Sequence, residues 1–151
     1  MKTESGRSLI EIIGVMAVGA VMTAGAIAAY GTIRKNQTRA IAAAQLEQVA
    51  SDVKLLLEMR GSYQGVSVDY LIKSGALKNG DAPIGGAWSV TASSDGKSFS
   101  INLSDISRGE CEYFTTAVPK WASAILVNGF ETEPESHCFS SDTNQISFIV
   151  E

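Results

Sequence analysis

The chain is 151 residues long, which leaves room for one domain and an appendage. Apolar residues make up 45% of it and the formal net charge is −4, but both are unevenly distributed. From Cys111 onward the sequence has one basic residue, Lys120, among many acidic ones. This disfavours nucleic-acid binding, which requires clustered lysine and arginine. We interpret the acidic residues chiefly as a solubilising surface.

The first predicted element is a membrane-spanning helix. Between Leu9 and Tyr30 only Glu11 and Thr23 are neither apolar nor glycine. This run matches the ~20 residues that a helix needs to cross the ~30 Å hydrocarbon core of a bilayer. A cleaved secretory signal is the alternative, but its apolar region usually has only ~7–15 residues. The longer run, which continues directly into more helix, favours an anchor.

Glu11 is an unusual residue for such a run. An ionised carboxylate well inside a membrane costs roughly 2.5–3.5 kcal/mol, and positions of this kind are functional by default. Because Glu11 lies close to the start of the run, its side chain could instead reach the headgroups, and spacing alone leaves both readings open. Small residues on one helical face could admit a second helix, although alanine is also a good helix former. These residues are Ala17, Ala20, Ala24 and Ala28.

Beyond Tyr30 the helix is predicted to continue as an amphipathic segment, so that one helix extends from about Ser8 to Arg60. Apolar residues in its second half follow i, i+3, i+4, i+7 spacing, and Gly61 is a plausible stop. The apolar stripe consists of Leu46, Val49, Ala50, Val53, Leu56 and Leu57. Something must cover this stripe, and the remainder of the chain is the obvious candidate.

The remainder of the chain predicts a small α+β domain. Period-two alternation indicates strands, and the Asp95-Gly96 pair marks a hairpin turn between the first two of them. A second short helix should be ended or offset by Pro119. The helices are expected near Val68–Ser74 and Glu110–Ala117, and the strands at Trp88–Ala92, Phe99–Leu103, Ala124–Val127 and Ile146–Val150. The predicted architecture is an antiparallel sheet packed on the long helix.

The two cysteines, Cys111 and Cys138, are an even count in a chain whose apolar N-terminus suggests export. We therefore expect one disulfide. A cytosolic location would reverse that expectation, and a reactive thiol is the alternative.

We expect no catalytic set, metal site or cofactor. His137 is the only histidine in the sequence, so a Ser/His/Asp triad would have to be built beside Cys138. Glu131, Glu133 and Glu135 alternate as cation ligands sometimes do, but they lack the Asp/Asn/Gly spacing of a calcium loop. A solvated acidic loop is the simpler interpretation.

The N-terminal residues Gly6-Arg-Ser-Leu-Ile-Glu11, followed by Ile12-Ile-Gly-Val-Met-Ala-Val, resemble the prepilin cleavage and methylation motif of type IV pilins and type II secretion pseudopilins. In that motif a glycine ends a short basic leader and a glutamate is the fifth residue of the mature chain. The resemblance implies that prepilin peptidase cuts between Gly6 and Arg7, that Arg7 is N-methylated, and that Glu11 acts in assembly. Arg7 stands where phenylalanine or methionine is usual.

The rest of the chain is more loosely similar to type IVb pilins, although the leader is short for that subclass. The similarity rests on Tyr63, Leu71, the Gly85-Gly-Ala-Trp88 entry to a strand, and the C-terminal cysteine pair. It implies a pilin fold with a C-terminal disulfide loop. The implied parts are a leader (1–6), a transmembrane and assembly helix (7–30), its amphipathic continuation (31–60) and a globular head (61–151).

The resemblance implies a structural subunit of a type IV pilus. Such a subunit is a single-pass protein of the bacterial inner membrane, with its C-terminal domain outside the cytoplasm, until it enters a surface filament. The implied partners are copies of itself, prepilin peptidase, the inner-membrane assembly machinery and the lipid bilayer. Alternatives are a type II secretion pseudopilin, a minor pilin acting as initiator or adhesin, and a monomeric membrane-tethered binding domain. The lysine and arginine residues that flank the run mildly favour the opposite orientation.

Overall fold

The computed structural model describes residues 4–116, 118–131 and 133–151. Helix α1 spans Glu4–Leu57 and passes into one 3₁₀ turn, Glu58–Arg60. The predicted helix from about Ser8 to Arg60 is confirmed, and the structure begins it a further turn earlier, at Glu4. The stop was predicted correctly. Gly61 takes a left-handed φ of 71°, and its N–H donates to the Glu58 carbonyl at 2.9 Å.

The chain divides into two compact units, residues 1–38 and 39–151. The described part of the first unit is the N-terminal part of α1. The second unit contains the rest of α1 and every other helix and strand of the described residues.

Four strands form one antiparallel sheet in the second unit. They are β1 (Ala87–Ala92), β2 (Phe99–Ile106), β3 (Ala124–Val127) and β4 (Asn144–Val150), in the spatial order β1-β2-β4-β3. All four strand predictions are confirmed, and β1, β2 and β4 are one to three residues longer than predicted. An irregularity between Leu103 and Ile106, where Asp105 has φ 56°, lets Ile106 return to the buried face of the sheet.

The apolar stripe of α1 packs on this sheet, as predicted. Leu46, Val49, Ala50, Val53 and Leu57 are at most 4% exposed, whereas Leu56 is only half-buried. The sheet contributes the alternate residues of its inner face to the same cluster, and the central members are Ile101, Leu103, Ile146, Phe148 and Val150. Burial of these side chains supplies the main driving force for folding this unit.

The hairpin between β1 and β2 turns at Asp95 and Gly96, as expected. The Gly96 N–H donates to the Ser93 carbonyl at 3.0 Å, and Gly96 has φ 69°. The Asp95 carboxylate accepts hydrogen bonds from the Ser93 hydroxyl and the Lys97 backbone N–H. Because these bonds favour the ionised form, they lower the pKa of Asp95.

Two short helices complete the second unit. Helix α2 spans Val68–Lys73, and the hydroxyl of its N-cap Ser67 accepts from the Tyr70 N–H. Helix α3 spans Arg108–Thr116 and begins with a reciprocal capping arrangement between Ser107 and Glu110. Both helices were predicted within two residues of these positions, although Ala117, the expected last residue of α3, lies outside the described residues.

Candidate functional site

The residues of α1 from Leu9 to Tyr30 present an apolar surface that the described chain does not cover. Every large apolar side chain in this range is between 55% and 75% exposed. The most apolar 18-residue window has a mean hydropathy of 2.2, and none of it is buried. By length and composition the helix can cross a membrane. Because exposed apolar surface of this extent is unfavourable in water, lipid or other protein must cover it.

Two polar side chains interrupt this surface, and only one of them has a hydrogen-bond partner among the described residues. The Thr23 hydroxyl donates to the Gly19 carbonyl at 2.8 Å, so the helix itself provides its partner. Glu11 is exposed and has no hydrogen bond or ion pair with any side chain that the structure describes. Gly6 and Arg7 lie in helical backbone about one turn earlier, and Arg7 is outside the set of described side chains. The cleavage and methylation roles of these residues stay predictions.

The glycines of this part of α1 are not required by any packing within one chain. A Cβ atom added at Gly14, Gly19 or Gly25 would meet nothing within 4 Å. Each glycine in a helix interior nevertheless costs ~1 kcal/mol relative to alanine. An uncovered helical glycine lets the backbone of a second helix approach closely.

The second predicted feature is the cysteine pair. Cys111 on α3 and Cys138 form a disulfide with a Cα–Cα distance of 5.9 Å, so this prediction is confirmed. Cys111 is fully buried and Cys138 is half-buried. The bridge encloses β3, and we call residues 112–137 the cysteine-bridged loop.

Two asparagines connect the part of the cysteine-bridged loop after β3 to β4, and neither was predicted from the sequence. Asn144, which is fully buried, accepts from the Phe139 N–H at 2.6 Å and the Asn128 side-chain amide at 3.0 Å. Its own amide donates toward the Ile106 carbonyl at 3.1 Å. Asn128 also donates to the His137 carbonyl at 2.6 Å and accepts from the Gln145 N–H at 2.9 Å. The Asn128-Gly129 pair after an apolar strand is a turn signal that could have revealed the first of them.

The acidic residues of this region face solvent. Glu131, Glu133 and Asp142 are exposed, and the side chain of Glu135 is outside the described set. His137 stacks on Phe130 with ring centroids 4.1 Å apart and an interplanar angle of 12°. Among the described residues, no group of three or more histidine, cysteine, aspartate or glutamate side chains could hold a metal ion.

A scan against protein-family models finds no match, and a search of curated proteins finds no relative. A search of solved structures finds TcpA, a type IV pilin from Vibrio cholerae El Tor biotype. The similarity has a TM-score of 0.60 and covers 76% of this chain and 99% of the TcpA chain. The chain has the fold of a type IV pilin. At 16% identity the likeness is one of fold.

The pilin fold confirms the architecture expected from the sequence. A long N-terminal helix packs on a four-stranded antiparallel sheet, and a disulfide closes the C-terminal loop. The fold alone does not establish what the N-terminal residues Gly6, Arg7 and Glu11 do. It also does not establish what the surface of the second unit binds.

Proposed function

We propose that this protein is a structural subunit of a type IV pilus, cleaved after Gly6 and polymerised through its N-terminal helix. The observation that carries the proposal is an uncovered apolar helix, with one carboxylate near its start, on a chain with the pilin fold. Lipid covers this surface before assembly, and the helices of neighbouring subunits cover it in the filament. The role is structural, with no catalytic step and no cofactor.

Cleavage provides the partner for Glu11. Cutting the bond between Gly6 and Arg7 creates an α-ammonium group at Arg7, which lies one helical turn from Glu11. An unpaired cation and an unpaired anion are each costly in a low-dielectric bundle of helices. Pairing Glu11 of one subunit with the terminal amine of a neighbour satisfies both charges and sets the axial register. The glycines at 14, 19 and 25 would let the neighbouring backbone approach closely enough for this contact.

The leader keeps the subunit out of the filament until it is processed. While residues 1–6 are attached, no α-ammonium lies beside Glu11. The leader stays on the cytoplasmic side of the inner membrane despite the basic residues that follow the apolar run, since long domains translocate largely regardless of such charges. The head then lies outside the cytoplasm, where Cys111 and Cys138 can be oxidised. Prepilin peptidase and the inner-membrane assembly machinery are the partners that this sequence of events requires.

The first test compares two glutamates on the same helix. Glu11→Ala should prevent the subunit from entering filaments, whereas Glu47→Ala, at an exposed position in the second unit, should leave incorporation unchanged. Subunit content of sheared surface filaments is measured by quantitative mass spectrometry, with membrane levels as a check on expression. Normal incorporation of the Glu11→Ala subunit would refute the assembly mechanism.

The second test is the intact mass of the chain in those filaments. The expected mass corresponds to a chain that begins at Arg7, carries one methyl group and lacks the two hydrogens of a reduced Cys111–Cys138 pair. A filament subunit that retains Met1 would contradict the processing step. A chain that is processed but present only in trace amounts in filaments would point to a minor pilin or pseudopilin. An unprocessed monomer would favour a membrane-tethered binding domain.

A further inference from the structure

A groove in the second unit has the side chains of a ligand site, and the proposed filament role does not use it. Its volume is about 320 Å³, and it lies between α1 and the segment that connects α2 to β1. This volume is at the lower end of the ~300–1,000 Å³ typical of small-molecule sites. We call it the Trp88 groove. Val49 and Leu77 contribute apolar surface to its lining.

One wall of the Trp88 groove is a row of hydrogen-bonding side chains on α1. Gln45, Gln48 and Asp52 follow i, i+3, i+7 spacing and so share one helical face. The Gln48 amide donates to Asp52 Oδ1 at 2.9 Å, which fixes both side chains. The Gln48 carbonyl oxygen and both polar groups of Gln45 have no hydrogen-bond partner among the described residues. The wall therefore offers donors and acceptors close together.

The opposite wall combines an aromatic ring with further polar groups. The Trp88 indole N–H donates to the Gly80 carbonyl at 2.9 Å, which fixes the ring and uses its only donor. Since Trp88 is only half-buried, part of its ring remains accessible as an apolar surface. Asn79 and Asp81 lie beside it, and Asn79 Oδ1 accepts from the Asp81 N–H at 3.3 Å. The Asn79 amide group stays available as a donor.

The charges of the groove restrict its ligand. Asp52 and Asp81 carry two negative charges against the single positive charge of Lys78, which also lines the groove. An excess of carboxylate disfavours phosphate, sulfate or a sugar acid by like-charge repulsion. The ligand should therefore have no negative charge, many hydroxyl groups to meet the amides and carboxylates, and an apolar face to meet the indole.

A pyranose ring meets these three requirements. Its hydroxyls on adjacent carbons donate and accept at spacings that the two atoms of an amide or carboxylate can match, and its C–H face is apolar. We propose that the Trp88 groove binds a neutral sugar, stacked on Trp88 and hydrogen-bonded by Gln45 and Gln48. This binding activity is independent of whether the chain polymerises.

Saturation-transfer difference NMR on the full chain tests this proposal. The protein is kept in dodecylphosphocholine micelles, since glycoside detergents would themselves compete. The probes are the methyl glycosides of glucose and galactose, N-acetylglucosamine and, as the anionic control, glucuronate. At least one neutral sugar should receive saturation at its ring C–H protons, with a Kd on the order of 1 mM, as expected for a single small ligand. Glucuronate should receive none.

Paired variants assign the binding to the groove. Trp88→Ala should abolish saturation transfer, while Trp121→Phe, at the other tryptophan, should leave it unchanged. Gln48→Ala should weaken binding roughly five- to tenfold, the effect of losing one neutral hydrogen bond. Gln48 is exposed on a helix, so this variant keeps the fold even if Trp88→Ala does not. Gln37→Ala, on the same helix in the first unit, is its matched control.

Three outcomes would overturn the proposal. The first is an absence of transfer to every neutral sugar, and the second is transfer that Gln48→Ala and Gln37→Ala affect equally. The third is a Trp88 indole resonance that shifts with protein concentration but not with sugar, which would assign the groove to contacts between copies of the chain. A chain that binds sugar but never enters filaments would support the sugar site and refute only the proposed function.

Discussion

Two parts of helix α1 differ in whether the chain itself buries their apolar side chains. Between Leu9 and Tyr30 the large apolar side chains surround the helix and are more than half exposed. In the second unit the apolar residues form one stripe, and Leu46 and Val53 are completely buried against the sheet. The difference indicates which molecules bury the apolar side chains of each part. A helix that is apolar all round depends on lipid or other chains, whereas a striped helix is covered by its own domain.

Two leucine substitutions, one in each part of α1, should differ most in their effect on the free energy of unfolding. Leu46→Ala should lower the free energy of unfolding of the second unit by about 2–5 kcal/mol, because it removes buried methyl groups and leaves a cavity. Leu9→Ala should change it by less than ~0.5 kcal/mol, because Leu9 contacts no core. Denaturant unfolding of the full chain in micelles, followed by tryptophan fluorescence, measures both. Equal effects would show that the two units unfold together.

The disulfide should stabilise only the second unit. Cys111 and Cys138 are separated by 27 residues, and chain-entropy arithmetic for a loop of that size gives roughly 3.5 kcal/mol. The double variant Cys111→Ser, Cys138→Ser should lose about that much in denaturant unfolding. The helical circular dichroism that remains after the second unit unfolds reports the first unit in its micelle. This residual signal should be the same in the double variant as in the parent chain. A parallel loss of that signal would contradict the division into two units.

Two asparagine substitutions should also differ in their effect on the stability of the second unit, by a smaller amount. Asn144→Ala leaves the Phe139 N–H without its acceptor in the core and should cost about 1–3 kcal/mol. Asn36→Ala, at an exposed position of α1 in the first unit, should stay within ~0.5 kcal/mol. The measurement is the midpoint of thermal unfolding monitored at the tryptophans. An unchanged midpoint for Asn144→Ala would show that the asparagine contacts do not hold the cysteine-bridged loop.

The smallest expected effect is at the β1–β2 turn. Since hydrogen bonds lower the pKa of Asp95 in the folded state, its carboxylate favours folding above the unfolded pKa of ~3.9, and this contribution is lost as the pH falls through the folded pKa. Ser93→Ala removes the largest cause and should raise that pKa. A carboxyl-detected NMR titration of the full chain measures the shift, with Asp142, an exposed carboxyl, as the internal reference. An Asp95 pKa that is the same in Ser93→Ala as in the parent chain would assign the shift to other groups.

The architecture of this protein was largely predictable because its patterns are local. The stripe from Leu46 to Leu57, the alternation in each strand and the Gly61 stop all report burial or backbone conformation within a few residues. The contacts of Asn128 and Asn144 were not predictable, since they join segments that only the folded sheet brings together. The Trp88 groove was missed for the same reason. Its walls come from α1 and from residues about thirty positions later.

The spatial order of the sheet has a consequence for when the head can fold. β4 is the last strand in chain order, yet it lies between β2 and β3. Until it arrives, β3 has no neighbour, and Ile146, Phe148 and Val150 are missing from the core they complete. Because the sheet closes only when β4 is in place, a chain without β4 has an incomplete core. A chain that lacks a few residues of β4 should therefore be digested by proteases faster than the full chain.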